Sequence, residues 1–219
     1  MFTGIIEAVG TITALTPKGE DISVTVDSAT LDLSDVKLGD SIATNGVCLT
    51  VVELTGSGYV ADLSLETLKR TAFASYRAGQ KANLEKAMLP TTRFGGHMVS
   101  GHIDDVAEII ERNHTGRAIE FWVKAPAHLA KYVSEKGSVS IDGISLTVNA
   151  IRGDEFKLTI VPHTAAETTM ESFKVGHKVN FEVDVIARYL ERLMLGDKAA
   201  EQKSEVTMDL LAKSGFLGY

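Results

Sequence analysis

Three pairs of positions in this chain carry side chains able to do chemistry, and within each pair the two nearly match. Cys48 and Ser145 share the frame Gly-x-(Cys/Ser)-Leu-Thr-Val, His102 stands where a matching frame has Ile5, and Glu66 stands where its counterpart has His163. Thiol, hydroxyl and imidazole groups can polarise or hold a small polar ligand, and Thr50 and Thr147 add a hydroxyl beside each frame. Histidine, with an unperturbed pKa near ~6.5, also carries protons at neutral pH. Each position has a plainer reading too. A free cysteine is often a small buried hydrophobe, a histidine can be partly buried in a structural role, and 62–67 and 159–164 also fit capped strand-to-helix turns. His97 and His102 are five residues apart, on opposite faces of any strand, so they are not expected to share a metal ion. There is no HExxH spacing, dinucleotide fingerprint, P-loop or serine-nucleophile elbow.

These pairs come from a duplication. Met1-Phe2-Thr3-Gly4-Ile5-Ile6 returns as Met98-Val99-Ser100-Gly101-His102-Ile103, and Asn45-Gly46-Val47-Cys48-Leu49-Thr50-Val51 returns as Asp142-Gly143-Ile144-Ser145-Leu146-Thr147-Val148. The offset is 97 in both cases (101 − 4 and 143 − 46), and Asn83-Leu84-Glu85 against Asn180-Phe181-Glu182 keeps it. A solenoid unit is shorter, ~20–50 residues. The expected organisation is therefore two copies of one small domain, 1–97 and 98–185, followed by a tail, 186–219.

The elements that must position these residues read mainly as strands. Ile22–Val26, Ile119–Val123 and Phe156–Ile160 alternate apolar and polar residues, with glycine-centred turns between such stretches. Short strands with frequent turns predict an all-β-dominated antiparallel sandwich or barrel. Glu66–Ala74 and Pro126–Ser134 are expected short helices, the latter with proline in its first turn, and 89–96 is the expected linker. In the tail, Ile186, Tyr189, Leu190, Leu193 and Met194 form one apolar helical face. That face either packs on its own domain or joins subunits. Residues 196–204 read as a polar connector and 208–212 as a last helical turn.

Composition narrows the function classes. A net charge of −7 argues against a general nucleic-acid binder, and no apolar run nears the ~20 residues of a membrane span. The single cysteine excludes an intrachain disulfide, disfavours structural zinc and fits a reducing cytosol. The start lacks a secretory signal pattern, and Met1–Ile6, being part of the first repeat, is expected to belong to the fold. A cytoplasmic location is the expectation.

The opening Met1-Phe2-Thr3-Gly4-Ile5-Ile6-Glu7, the Asn45–Val51 frame, Gly95-Gly96-His97-Met98-Val99-Ser100-Gly101-His102-Ile103 and Ile141–Val148 together resemble the riboflavin synthase family of the alpha-chain type. The resemblance covers the whole chain. It implies two tandem six-stranded antiparallel Greek-key β-barrels with a C-terminal helix, and homotrimers held largely by those helices. It also implies a dismutation without cofactor or metal, in which two 6,7-dimethyl-8-ribityllumazine molecules give riboflavin and 5-amino-6-ribitylaminouracil by transfer of a four-carbon unit. The working site would lie between the N-terminal barrel of one subunit and the C-terminal barrel of its neighbour, and a lumazine synthase capsid is the further partner to be expected. The alternative is a non-enzymatic lumazine- or flavin-binding chromophore protein of the same superfamily.

Carried onto this sequence, the resemblance makes His102 the proton carrier and Cys48 and Ser41 the groups that activate water or steady an adduct. Asp184 is a weaker catalytic candidate. Substrate contacts fall on Gly4, Ile5 and Ile6, on Cys48, Leu49 and Thr50, and on Asp62, Leu63, Ser64, Leu65, Glu66 and Thr67 in a first pocket. A second pocket takes Gly101, His102 and Ile103, Lys136, and Ser145, Leu146 and Thr147. Val161, Pro162, His163, Thr164, Ala165 and Ala166 complete it. Val47 stands where some members have a second cysteine, and His163 where others have glutamate. Two identical substrates that must take opposite roles call for two related pockets with different polar groups, which is the asymmetry found above.

Overall fold

The computed structural model describes residues 1–200. The expected turn at 208–212 lies outside them, as does part of the expected connector. In the first half, apolar residues alternate along Ala8–Lys18 (β1), Asp21–Asp27 (β2), Ser41–Thr44 (β3), Val47–Leu54 (β4), Gly58–Leu63 (β5) and Lys81–Lys86 (β6). The second half repeats this in Asp105–Thr115 (β7), Ala118–Lys124 (β8), Ser138–Ile141 (β9), Ile144–Arg152 (β10), Glu155–Ile160 (β11) and Lys178–Val183 (β12). Each set closes into an antiparallel barrel with one strand order, β1-β2-β5-β4-β3-β6 and β7-β8-β11-β10-β9-β12. Closure satisfies every strand edge.

The period of two sends Ile42, Leu49, Val51, Ala61 and Leu63 into the first interior and leaves Ser41, Thr50 and Asp62 outside. Tyr59, wholly buried there, satisfies its hydroxyl against Thr44 Oγ1 at 2.5 Å. The second interior is more aromatic, with Phe156 stacked on Phe181 and Phe121 set edge-on to Phe173. Even the bulges obey the offset: Ile12–Ala14 and Ile109–Glu111, Val51–Glu53 and Val148–Ala150.

The short helices differ from expectation. The helix expected over 66–74 is split into Leu65–Arg70 (α1) and a 3-10 turn, Ala72–Ser75. Thr71 makes the break: its hydroxyl donates to Thr67 O (2.7 Å) and accepts from Phe73 N (3.3 Å). Over 126–134 the chain forms a 3-10 turn, Ala127–Tyr132, with Pro126 ahead of it as the cap. Proline takes the first helical position instead in Pro162–Ala166 (α2), where its missing N–H costs nothing. The tail helix is Val185–Met194 (α3). Its apolar side chains, Ile186, Tyr189, Leu190, Leu193 and Met194, are 54–86% exposed, and Gly196–Ala200, the described part of the expected polar connector, is a 3-10 turn.

Both barrels belong to one compact unit, Met1–Ala187, and the contact between them repeats about a pseudo-twofold. Asn45-Gly46 and Asp142-Gly143 are two-residue hairpin turns with positive φ at all four positions, as a type I′ turn requires. The two glycines meet: a Cβ on Gly46 would lie 2.6 Å from the Gly143 nitrogen. Asn83 Nδ2 donates to Asp142 O (2.9 Å) and Asn180 Nδ2 to Asn45 O (2.8 Å), while their amide oxygens accept from Thr169 N (2.8 Å) and Ala72 N (2.7 Å). Phe2 and Val99, both buried, pair as a short antiparallel bridge between the halves.

The symmetry fails at a buried pair beside these turns. Asn45 donates to the Tyr76 hydroxyl (2.9 Å), whereas the counterpart of Tyr76 is Phe173, which has no hydroxyl to offer Asp142. Asp142 accepts from Asn180 N (2.7 Å), and burial pushes its carboxyl up to about 8. Between pH ~4 and 8 the unfolded chain releases this proton while the native chain keeps it, so this residue's contribution makes stability fall as pH rises through that window. Above about 8 both states are ionised and the penalty is constant. Asp142→Asn removes the effect. The urea midpoint of the variant, measured against the parent, should gain steadily from pH 5 to 8 and then level off; parallel profiles would contradict this.

Candidate active site

The two loops that carry Ile5 and His102 are each held from below by a buried carboxyl group. Glu85 accepts from Thr3 N (2.6 Å), Thr3 Oγ1 (2.8 Å) and Gly4 N (2.9 Å). Glu182 accepts from Ser100 N and Ser100 Oγ (both 2.6 Å) and from Gly101 N (3.0 Å). Burial raises both carboxyls, Glu182 to about 7, while the donated hydrogen bonds pull the other way. Gly4 and Gly101 then adopt φ of 75° and 81°, a region costly for any residue with a Cβ.

Their destination overturns the expected composition of the pockets. The Gly4 carbonyl accepts from Ser145 N (2.8 Å) on the second barrel, and the Gly101 carbonyl accepts from Cys48 N (2.9 Å) on the first. A Cβ on Gly4 would stand 2.6 Å from the Ser145 Cβ, and one on Gly101 2.7 Å from the Cys48 Cβ. Ile6 packs on the core of the second barrel and Ile103 on that of the first. Each loop therefore crosses over. Gly4, Ile5 and Ile6 belong with Ser145, and Gly101, His102 and Ile103 belong with Cys48, the reverse of the expected grouping. The physical reason is the Phe2–Val99 bridge, which turns both segments outward onto the opposite barrel. Phe2 itself is buried in that bridge and lines no pocket.

Around Cys48 the outer barrel face presents a polar row. Ser41 pairs with Thr50, Ser23 pairs with Asp62, and Thr50 and Asp62 each adjoin the Val51–Ala61 pair on the same side. Asp62 is ion-paired with Lys18 at 2.7 Å, which holds its carboxyl below the usual range. Ser64 caps α1, accepting from Thr67 N (3.2 Å), and Glu66 pairs with Arg70 one turn later. Leu65 is exposed beside them. A cleft of about 720 Å³ opens next to Ser41, Ile5, Lys86 and Arg93, and neither Cys48 nor His102 lines it.

Around Ser145 the row becomes Ser138 opposite Thr147, with Thr159 opposite Glu120. Val161, Pro162, His163 and Ala166 are exposed and Thr164 half-buried at the start of α2. Lys136 holds a φ of 65° where the first half has Gly39 at 94°. The Lys136 nitrogen donates to Val148 O (2.8 Å), which sets it beside the outer face of β10.

Four of the expected contact residues are buried. The side chains of Leu49, Leu63, Leu146 and Ala165 are at most 9% exposed and point into the barrel interiors, so only their backbone can face a ligand. Asp184 accepts from Ile186 N (3.0 Å) at the start of α3, and so acts as a helix cap. Sequence reasoning missed His97, whose ring nitrogen Nδ1 lies 2.7 Å from Ser145 Oγ. The Gly95-Gly96-His97 run, small residues ending in an imidazole, was its only signal.

The result is two related clusters of polar groups on the outer barrel faces, with unequal chemistry. A thiol and an exposed imidazole share the first; a hydroxyl, an aliphatic side chain and a buried imidazole share the second. The lumazine binding domain model matches residues 3–87 and 100–184, again 97 apart. Riboflavin synthase of Photobacterium phosphoreum is 67% identical over 99% of this chain and 100% of its own length, and that of Bacillus subtilis 40% over the same shares. The structure of LumP complexed with 6,7-dimethyl-8-(1'-D-ribityl)lumazine superposes with a TM-score of 0.74 at 23% identity, covering 84% of this chain and 99% of LumP. With both repeats matched and relatives aligned along nearly its full length, the chain belongs to the lumazine-binding family, among the riboflavin synthases.

Proposed function

We propose that this chain is an enzyme that converts two molecules of 6,7-dimethyl-8-ribityllumazine to riboflavin and 5-amino-6-ribitylaminouracil. The observation that carries this reading is the unequal furnishing of two equivalent clusters built on one backbone plan. One lumazine gives up a four-carbon unit and the other receives it, and the atoms of two substrates equal those of the two products, so no outside oxidant or reductant is called for. Holding both rings in place removes much of the entropic barrier of a bimolecular step.

Within this reading the first pocket takes the proton-transfer role. His102 is exposed and its backbone is fixed by the Ser100 hydroxyl at 3.2 Å, so its ring can reach the acidic C7 methyl group of a bound lumazine. Cys48 and Ser41 steady the adduct or its water, and Asp62, Ser64, Glu66 and Thr67 meet ribityl hydroxyls. In the second pocket Ser145, Thr147, Thr164 and Lys136 hold the partner molecule. The two pockets that react face one another across subunits, and the exposed apolar face of α3 joins three copies. A cytoplasmic setting and docking within a lumazine synthase capsid belong to the same proposal.

The direct test is to mix the purified protein with the lumazine alone and follow riboflavin by absorbance and chromatography. One riboflavin per two lumazines consumed is expected; tight binding without turnover would make the chain a chromophore carrier. His102→Gln should lower kcat by on the order of 10²-fold without moving the urea midpoint, because the side chain is exposed. An unchanged kcat would remove His102 from proton transfer. Deleting 186–219 should give folded monomers with little activity, and a trimer surviving on a sizing column would refute the role of α3.

A further inference from the structure

His97 enters no step above, yet its setting ties it to the second pocket. It comes from the segment joining the halves: Met1 matches Met98, so residue 97 lies ahead of the repeated motif. The backbone delivers it deliberately. His97 N donates to Thr3 O (3.2 Å), and Gly96, just before it, approaches so closely that a Cβ there would sit 2.0 Å from Thr3 O and 2.9 Å from the Ser145 Cβ. The residue is 8% exposed, Nδ1 is 2.7 Å from Ser145 Oγ, and Nε2 is buried without a hydrogen-bond partner among the described residues. Burial lowers the imidazole pKa, against the opposing charge of Asp184, so the ring is neutral at neutral pH and carries one N–H.

A serine hydroxyl is a free rotor with one proton and two lone pairs. Bonded to a ring fixed by packing, it keeps a single orientation and shows the ligand a defined donor or acceptor. The first pocket differs at this point, because its side chain is a thiol, a weaker hydrogen-bonding group, and its imidazole is the exposed His102. We infer that His97 is a positioning residue of the second pocket, which through Nδ1 locks the Ser145 hydroxyl and so fixes one orientation of the lumazine bound there. This inference rests on the reading that Ser145 contacts a substrate. It divides the labour: the second pocket orients its lumazine, and the first moves protons.

Two amide substitutions separate this role from a general need for a buried polar group. In His97→Asn the amide falls near the place of Nδ1 and can still meet Ser145; in His97→Gln it falls near the place of Nε2. Both are made in the parent and in Ser145→Ala, and kcat/KM for riboflavin formation from 6,7-dimethyl-8-ribityllumazine is read, with urea midpoints to compare folding. His97→Gln should lose about three- to tenfold, as for one neutral hydrogen bond, and His97→Asn should stay near the parent. In the Ser145→Ala background the two should be equal. Equal losses with Ser145 present, or a difference that persists without it, would overturn the positioning role while leaving Ser145 in place. Full activity of Ser145→Ala would instead remove Ser145 from the reactive site, and the inference with it.

Discussion

The close approach of two backbones at glycine governs this molecule. Gly4 lies against Ser145, Gly101 against Cys48 and Gly46 against Gly143, at distances where a Cβ would sit 2.6–2.7 Å from its neighbour. These contacts allow each barrel to lend a loop to the other, and they set the two pockets by main-chain geometry. Each inter-barrel backbone bond is worth only about 0.5–1.5 kcal/mol net. Leaving one of the buried groups unpaired costs more than making the bond gains, so Asn83 and Asn180 act mainly to forbid alternatives. The arrangement is specific because its failure is expensive.

Once the main chain fixes position, side chains are free to differ. Cys48 against Ser145, His102 against Ile5 and Lys136 against Gly39 all change chemistry at equivalent points without disturbing the strands beneath. The inward-facing residues show the opposite behaviour. Leu49 and Leu146, or Leu63 and Ile160, remain apolar, and even where volume changes, as from Val24 to Phe121 or Leu84 to Phe181, the interior stays apolar and repacks. Outer face and interior thus divide adaptability from stability along the same strands, at alternate residues.

Much of this was legible in the chain. The offset of 97 and the alternation in Ile22–Val26 and Phe156–Ile160 reported two strand-rich domains, because period and repetition are local properties of sequence. The turns were less legible: a helix over 66–74 has the right composition, but Thr71 offers the backbone a competing hydrogen bond and divides it. The exchange of Gly4 and Gly101 between barrels was not legible at all. Sequence order places Gly4 with Cys48, and only the Phe2–Val99 bridge, a contact between residues 97 apart, sends each loop to the other side. His97 was passed over because its significance depends on the rotor it touches, forty-eight residues away.

The crossed loops bear on how such a protein can arise. Equivalent residues of the two halves make reciprocal contacts, Gly4 with Ser145 and Gly101 with Cys48, Asn83 with Asp142 and Asn180 with Asn45. This is the pattern of an isologous interface, in which one surface recognises itself. A lone ancestral repeat would already have had this interface available as a symmetric pair with identical pockets. Joining two copies in one chain makes the association permanent and removes the obligation of sameness, so that His102 can stand on one side where Ile5 stands on the other.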